Sequence, residues 1–290
     1  MNTLIYNRET KQTYLEKQYK NNELLFLYTT FWGRFLLRLF ISNRYFSRIL
    51  AYPNKAKRSI HKIEPFIKEY SIDPNDYIKK DYKSFNDFFI RKVVEDKRPI
   101  DLSEDSLISI ADSKLTTYTI DSSLQLDIKG SLYTLSSLLK SSDLAKSYAN
   151  GMCLIFRLTV DDYHRYCFLD DGNIILQKTI NGKLHSVGPI SSSKVNVYNE
   201  NYRKYSLLQT SNFGQVIQVE VGALLVGKII NHDIDSFTKG TEKGYFEFGG
   251  STIILIFKEG TVYIDDDIIQ HSRKGIEIKV KYGEKIGGKL

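Results

Sequence analysis

A run of five apolar residues, Ile253-Ile254-Leu255-Ile256-Phe257, stands directly behind Phe248-Gly249-Gly250-Ser251-Thr252. An unbroken apolar run of this length reads as a buried strand, so the fold must contain a sheet that can enclose it. The two glycines place an unencumbered carbonyl immediately before a hydroxyl. A serine at the lip of a buried strand, behind a flexible Gly-Gly, can turn its oxygen onto the preceding peptide bond. The chain would then cut itself, and the new N-terminus would carry the chemistry. Taken alone, Gly-Gly-Ser reads more simply as a tight turn into a strand.

The 290 residues suffice for one large domain or two modest ones. An apolar content of 42% supports a real core, and 20 Tyr and 16 Phe against 5 Pro favour a sheet-rich body over a disordered chain. The net charge of +7 is spread along the sequence and suits an anionic surface. Zinc-finger spacing, RNP-like signatures and dense basic blocks are all missing from the sequence, so nucleic acid is not the expected partner. Cys153 and Cys167 are the only cysteines, too few for a disulfide framework. Residues 1–22 lack the apolar core of a secretory signal.

Three regions are expected. Residues 1–82 read as helical. Within them, 24–41 form a dense apolar segment in which Arg34 and Arg38 share a helix face, with Arg44 and Arg48 continuing the basic character. The arginines fit a helix lying in a membrane interface better than one crossing it, and Trp32 and Tyr28 suit the headgroup level. A helix docked on the domain core fits the same pattern. Residues 83–250 alternate strand-like runs at 115–120, 153–158, 174–180, 216–221 and 224–230 with turn signals, among them the hairpin-type turns Asp171-Gly172 and Asn181-Gly182. The tail adds strands at 253–257, 261–264 and 276–280, too few for a core of its own. The expected class is therefore α+β: N-terminal membrane-associating helices (1–82), then a β-rich, sandwich- or barrel-like catalytic domain (83–290).

Asp161-Asp162-Tyr163-His164-Arg165-Tyr166 follows the strand at 153–158. His164 can move protons near neutral pH, and Arg165 can hold a carboxylate or phosphate. A surface loop with a solvated histidine is the plainer alternative. Asp112, before another strand-like run, is either an orienting carboxylate or an ordinary turn aspartate.

Taken in order, these motifs carry more than each does alone. The series is Phe85-Asn86-Asp87-Phe88-Phe89-Ile90-Arg91, Lys97-Arg98-Pro99-Ile100, Ala111-Asp112, 129–135, Asp162-Tyr163-His164-Arg165, 182–189, 221–227 and 239–252. In this order and spacing, residues 83–287 resemble the phosphatidylserine decarboxylases.

That resemblance implies a proenzyme that cleaves itself between Gly250 and Ser251, giving a β chain of residues 1–250 and an α chain of residues 251–290. Ser251 would become a covalent pyruvoyl group, the only cofactor expected, with no metal. The serine amine of phosphatidylserine would form a Schiff base with it, CO₂ would leave, and phosphatidylethanolamine would be released. In the family a Ser-His-Asp triad drives self-cleavage, and Ser251 and Asp112 match two of its members. His164 matches the histidine associated with decarboxylation. Cys167 stands where the processing histidine is expected, and cysteine is a poor neutral-pH base unless its pKa is lowered. His164 covering both jobs, a Cys167 thiolate, or His185 or His232 reaching in would each answer this. So would a chain that is not processed at all. Arg165, Lys183 and Lys114 are the expected contacts to the headgroup. The resemblance further implies a homodimer, an anionic membrane surface as partner, and a peripheral place on the cytoplasmic face of the cell membrane. An unprocessed lipid-binding module and a pyruvoyl enzyme acting on a soluble amino acid are the rival functions.

Overall fold

The computed structural model describes residues 3–16, 21–37, 49, 51–128, 131–188, 191, 194–224, 228–249 and 251–290. Of the positions named above, 38–41, 44, 48, 129–130, 189, 225–227 and 250 lie outside the described residues.

The described strands are β1 (Leu4–Asn7), β2 (Gln12–Leu15), β3 (Ser106–Ile108), β4 (Ser113–Thr119), β5 (Gln125–Ile128) and β6 (Ser131–Thr134). They continue with β7 (Met152–Leu158), β8 (Arg165–Cys167), β9 (Gly172–Ile180), β10 (Arg203–Thr210), β11 (Gln215–Val221) and β12 (Ile229–Asn231). The last six are β13 (Ser236–Phe237), β14 (Glu242–Phe246), β15 (Ser251–Phe257), β16 (Val262–Ile264), β17 (Glu277–Val280) and β18 (Lys285–Lys289). Ten of them form one open sheet in the order β13-β9-β10-β11-β15-β7-β4-β17-β1-β2, with smaller sheets β12-β14-β8, β16-β18-β3 and β5-β6 beside it. The fold is α+β, dominated by this large sheet. Among the described residues, no helix is long and apolar enough to cross a membrane.

β15 lies inside the sheet between β11 and β7, and all seven of its residues are buried. Its side chains alternate between two cores. Ile253, Leu255 and Phe257 join one cluster with Leu158, Tyr163, Tyr166 and Cys167. Ile254 and Ile256 join a second on the opposite face with Val219, Val221 and Tyr205. Burial on both faces is why this strand reads as continuous apolar sequence rather than as an alternation.

The structure corrects four expectations. Residues 4–15 are strands, not helix: β1 runs parallel to β17, more than 260 residues away. Four-residue strands whose partner lies so far off leave almost no local signal. Leu224 is a turn residue, Lys228 is in no strand and β12 begins at Ile229, so 224–230 is not one continuous strand. Asn181-Gly182 does not close a hairpin. It opens an excursion through residue 202 before β10 returns antiparallel to β9. Gly172 is the first residue of β9, and Asp171-Gly172 joins strands of two different sheets.

The small sheet β12-β14-β8 is tied to the main one by charge. Glu220 of β11 and Lys243 of β14 pair at 2.6 Å, with side chains 0% and 1% exposed. Asn231 links this pair to Tyr166, donating to Glu220 at 3.3 Å and accepting the Tyr166 hydroxyl at 2.6 Å. Burial lowers the Lys243 pKa, and the Glu220 charge opposes that. Lys243→Met should therefore destabilise the protein by about 3–5 kcal/mol by leaving a buried carboxylate without its counter-ion. Adding Glu220→Leu should restore part of the loss. Urea unfolding of both variants checks this, and a single variant as stable as the wild type would refute it.

Candidate active site

Ser251 opens β15 opposite Leu158, the last residue of β7. Strand alternation puts its side chain on the Leu158, Ile253 face, the face that packs against the 163–168 segment. Ser251 Oγ is buried and has no hydrogen-bond partner among the described residues. The chain reaches it through Gly249 at φ 138°, a conformation that side-chain-bearing residues avoid. Gly250, the other half of the expected cleavage site, lies outside the described residues.

His164 follows a loop clamped at the end of β7. Asp162 accepts from the Thr159 amide at 2.7 Å and the Thr159 hydroxyl at 2.9 Å, and Lys114 donates to both of its oxygens at 2.8 Å. Burial alone would lower the Lys114 pKa, but the charges of Asp162 and Asp161 outweigh it and raise it. His164 Nδ1 lies 2.9 Å from the Asp162 carbonyl oxygen. A carbonyl can only accept, so Nδ1 carries the proton and Nε2 holds the free lone pair. That Nε2 is buried and unpartnered. Burial drops the His164 pKa to about 3, so the ring is neutral at physiological pH. It is not hydrogen-bonded to Ser251, since neither atom has a partner.

One helix joins the two groups. Phe85–Phe89 is capped by Ser84, whose hydroxyl accepts from the Asp87 amide. The Phe89 ring lies 4.1 Å from the His164 ring and 5.0 Å from that of Phe248. Asn86 Oδ1 accepts the Phe248 amide at 3.0 Å, and the Phe246 amide donates to the His164 carbonyl at 3.0 Å. The backbone leading into Ser251 and the loop bearing His164 are thus held by the same helix. Asn86 and Phe89 were quoted above only as part of a motif. Their contacts over 75 residues and more are what give them a role.

The remaining expected residues go elsewhere. Asp112 accepts two hydrogen bonds from Arg98 Nε and one of 2.7 Å from Nη2, and the Tyr282 amide at 2.8 Å. No histidine is among its partners in the described residues. Cys167 lies with Ile110 and Tyr282: its Sγ is 3.7 Å from the Ile110 carbonyl and its thiol meets the Tyr282 hydroxyl. Burial pushes that thiol up to about 12, so it is protonated at neutral pH. His185 is buried beside Tyr28; among the described residues neither ring nitrogen makes a hydrogen bond, Nε2 lies 3.7 Å from Glu200, and burial lowers its pKa to about 4. His232 is bonded to Glu242 at 2.7 Å. Lys114 is enclosed with Asp162, and Arg165 is held by Glu242 at 2.7 Å and the Ile90 carbonyl. Of the three side chains expected at a headgroup, only Lys183 is exposed, 50% at its side chain.

Comparison with known proteins bears on the family. Residues 85–288 match the family model of phosphatidylserine decarboxylase. The chain belongs to the phosphatidylserine decarboxylase family. It is 60% identical over 287 residues to a Clostridium acetobutylicum protein named phosphatidylserine decarboxylase proenzyme 2, covering 99% of both chains. Phosphatidylserine decarboxylase proenzymes of Clostridium novyi and Ruminiclostridium cellulolyticum are 42% and 43% identical, over 99% and 98% of this chain and 99% and 96% of theirs. In this member of the phosphatidylserine decarboxylase family, Ser251 Oγ and His164 Nε2 are both buried and without a hydrogen bond among the described residues.

Folding keeps the His164 ring neutral, so between pH 6.5 and about 3 the unfolded chain binds more protons than the folded one. Stability from this group is full above pH 6.5 and is lost as pH falls toward 3. His164→Gln should flatten the fall in urea midpoint over that range. An unchanged slope would show that the ring is not buried neutral.

Proposed function

We propose that this chain is a self-processing enzyme that converts phosphatidylserine to phosphatidylethanolamine and CO₂. The observation that carries this reading is the buried, unpartnered Ser251 Oγ at the first residue of an enclosed strand, behind Gly249. A buried hydroxyl left without a hydrogen bond costs free energy of about 1–3 kcal/mol, which a structural serine would avoid. Self-cleavage gives it a use. Ser251 Oγ adds to the Gly250 carbonyl, the peptide C–N bond breaks, and an ester replaces the amide. Loss of the Ser251 Cα proton then expels the Gly250 carboxylate. Hydrolysis of the resulting enamine releases ammonia and leaves a pyruvoyl group at residue 251. The products are residues 1–250 and 251–290.

Once present, the pyruvoyl ketone supplies an electrophile for the substrate amine and a sink for the electron pair left behind by CO₂. The chain's own residues move the protons. His164 is the proton carrier in both processing and turnover: its Nε2 lone pair is free, its ring is neutral and, unlike His185, it packs on the same helix that holds the backbone leading into Ser251. Burial keeps the Cys167 thiol protonated at neutral pH, which argues against that role for it. Asp162 and Lys114 hold the His164 loop in place, and Asn86 and Phe89 hold the strand entry against it. One observation favours a second reading, an unprocessed lipid-binding protein: Asp112 is engaged by Arg98 rather than by a histidine.

Mass spectrometry separates the two. Active material should contain a fragment of residues 251–290 with an amine-free end, and His164→Ala should remain an uncut chain of 33.6 kDa. Full cleavage and normal turnover in that variant would remove His164 from the mechanism. Activity from wild-type chains that are all intact would remove the pyruvoyl group.

Docking to lipid is assigned to the helices Asn21–Thr29 and Phe31–Leu36. Phe31 and Trp32 are 69% and 67% exposed, and Trp32 packs edge-on against both Phe31 and Phe35. An exposed aromatic cluster beside Arg34 suits the boundary of an anionic bilayer, and so a peripheral enzyme on the cytoplasmic face of the cell membrane. Tyr28 takes no part at the headgroup level. It is buried, and its hydroxyl accepts the Ser186 amide at 2.9 Å. Deleting residues 1–45 would be a poor test, because it removes β1 from the main sheet. Phe31→Ser with Trp32→Ser and Phe35→Ser should instead cut sedimentation with phosphatidylserine vesicles by about tenfold or more at unchanged thermal stability. Undiminished sedimentation would place the anchor elsewhere.

A further inference from the structure

The β1–β2 turn, the segment around Arg98 and the chain from Lys279 to Lys285 line a half-open cavity of about 500 Å³. Its lining holds seven Lys and Arg against two Glu. Some of that charge is already matched. Arg8 reaches Asp265, Asp267 and Glu284, Arg98 holds Asp112, and Lys281 pairs with Glu9. What remains is concentrated: Lys11, Lys279 and Lys285 make no ion pair among the described residues, and Lys97 reaches Asp76 only at 4.0 Å.

The cavity is built, not incidental to mobile side chains. Arg8 Nη1 also donates to the Lys285 carbonyl, fastening the turn to the far wall. Asn7 Oδ1 accepts the Glu9 and Thr10 amides, and Lys11 sits at φ 57°, so the turn projects from a fixed frame. Tyr282 and Arg98, both bound to Asp112, form part of the lining. Like charges gathered around one concavity repel one another and raise its potential, and an anion relieves both effects. Ammonium groups suit phosphate oxygens as point charges. The volume falls within the range of small-ligand sites and exceeds what a bare phosphate needs.

The cavity is separate from Ser251. Lys279, Lys114, Arg157 and Thr252 are successive partners across β17, β4, β7 and β15. Three inter-strand spacings of about 4.8 Å put Lys279 roughly 14 Å from the start of β15.

We propose that this cavity binds a phosphate-bearing anion carrying a further substituent, at a site distinct from the Ser251 chemistry. The phosphate comes either from a soluble phosphorylated compound or from a lipid headgroup. The experiment uses the full chain and two probes: calorimetric titration with inorganic pyrophosphate, and sedimentation with phosphatidylcholine vesicles with and without phosphatidic acid. Lys11→Gln with Lys285→Gln tests the cavity. Lys178→Gln with Lys146→Gln removes the same charge from exposed positions outside it. Saturable binding that weakens by about tenfold or more in the cavity pair, and by less than about twofold in the control pair, is the expected result. Pyrophosphate binding identifies a soluble source, and binding to phosphatidic acid vesicles alone identifies a lipid headgroup. Absence of saturable binding of both probes, or equal losses in the two pairs, overturns the proposal. Thermal melting of each pair verifies that the fold is intact. Loss of phosphatidylserine turnover in neutral detergent by the cavity pair alone would overturn the separateness of the two sites.

Discussion

Ser251 pairs with Leu158 at the first rung of the β15–β7 ladder, and from there to Phe257 every residue of β15 is buried. The geometry around the serine follows from that enclosure. β11 and β7 fix the strand on both sides, so its first residue cannot shift register without turning Ile253, Leu255 and Phe257 out of one core and into the other. A hydroxyl so placed is held at the sheet's end with no freedom to find water. The segment before it remains a loop, bounded by β14 and Gly249.

Around this strand the structure buries charge. Lys114 with Asp162, Arg157 with Glu16 and Glu277, and Glu220 with Lys243 all lie within the sheet or against it. Such pairs seldom add stability over well-packed apolar residues, because desolvation offsets their attraction. Their effect here is positional. Lys114–Asp162 fixes the loop that presents His164, and Glu220–Lys243 fixes the strand that delivers the chain to Ser251. Arg157 reaches Glu16, just past the N-terminal hairpin, and so draws the first residues into the sheet. The strands Leu4–Leu15 are therefore part of the body that carries the site, while the exposed aromatic helices lie between them and the rest of the chain.

The substitution at Cys167 gains a physical meaning in this setting. Residues three apart in an extended segment project to opposite sides, and His164 and Cys167 do so, one onto Phe89 and the other toward Ile110 and Tyr282. Asp112 sits on the Cys167 side, bound to the Tyr282 amide and to Arg98. Asp112 and Cys167 thus meet in one packed cluster around Tyr282, with the thiol protonated and the carboxylate bound to Arg98. The free lone pair belongs to His164 alone of these residues.

Much of this was legible in the sequence. The buried strand at 253–257, the strands near 115–120, 153–158 and 216–221, and the ordered motifs that mark the family all rest on local pattern, which one-dimensional sequence carries well. The N-terminal hairpin was not legible, because its partner lies at the other end of the chain. The partners of Asp112 and Lys114, the burial of Tyr28, and the bracing of Phe248 by Asn86 depend on segments tens to hundreds of residues apart. By itself the sequence determined that Ser251 stands between a flexible Gly-Gly and an enclosed strand, and that His164 lies in the matching motif. Only the tertiary structure decided which of the candidate groups keep an unpartnered atom. Burial and hydrogen bonding are properties of neighbours in space: they engage Cys167, Asp112 and Lys114 with Tyr282, Arg98 and Asp162, and leave Ser251 Oγ, His164 Nε2 and both His185 ring nitrogens without a hydrogen bond among the described residues.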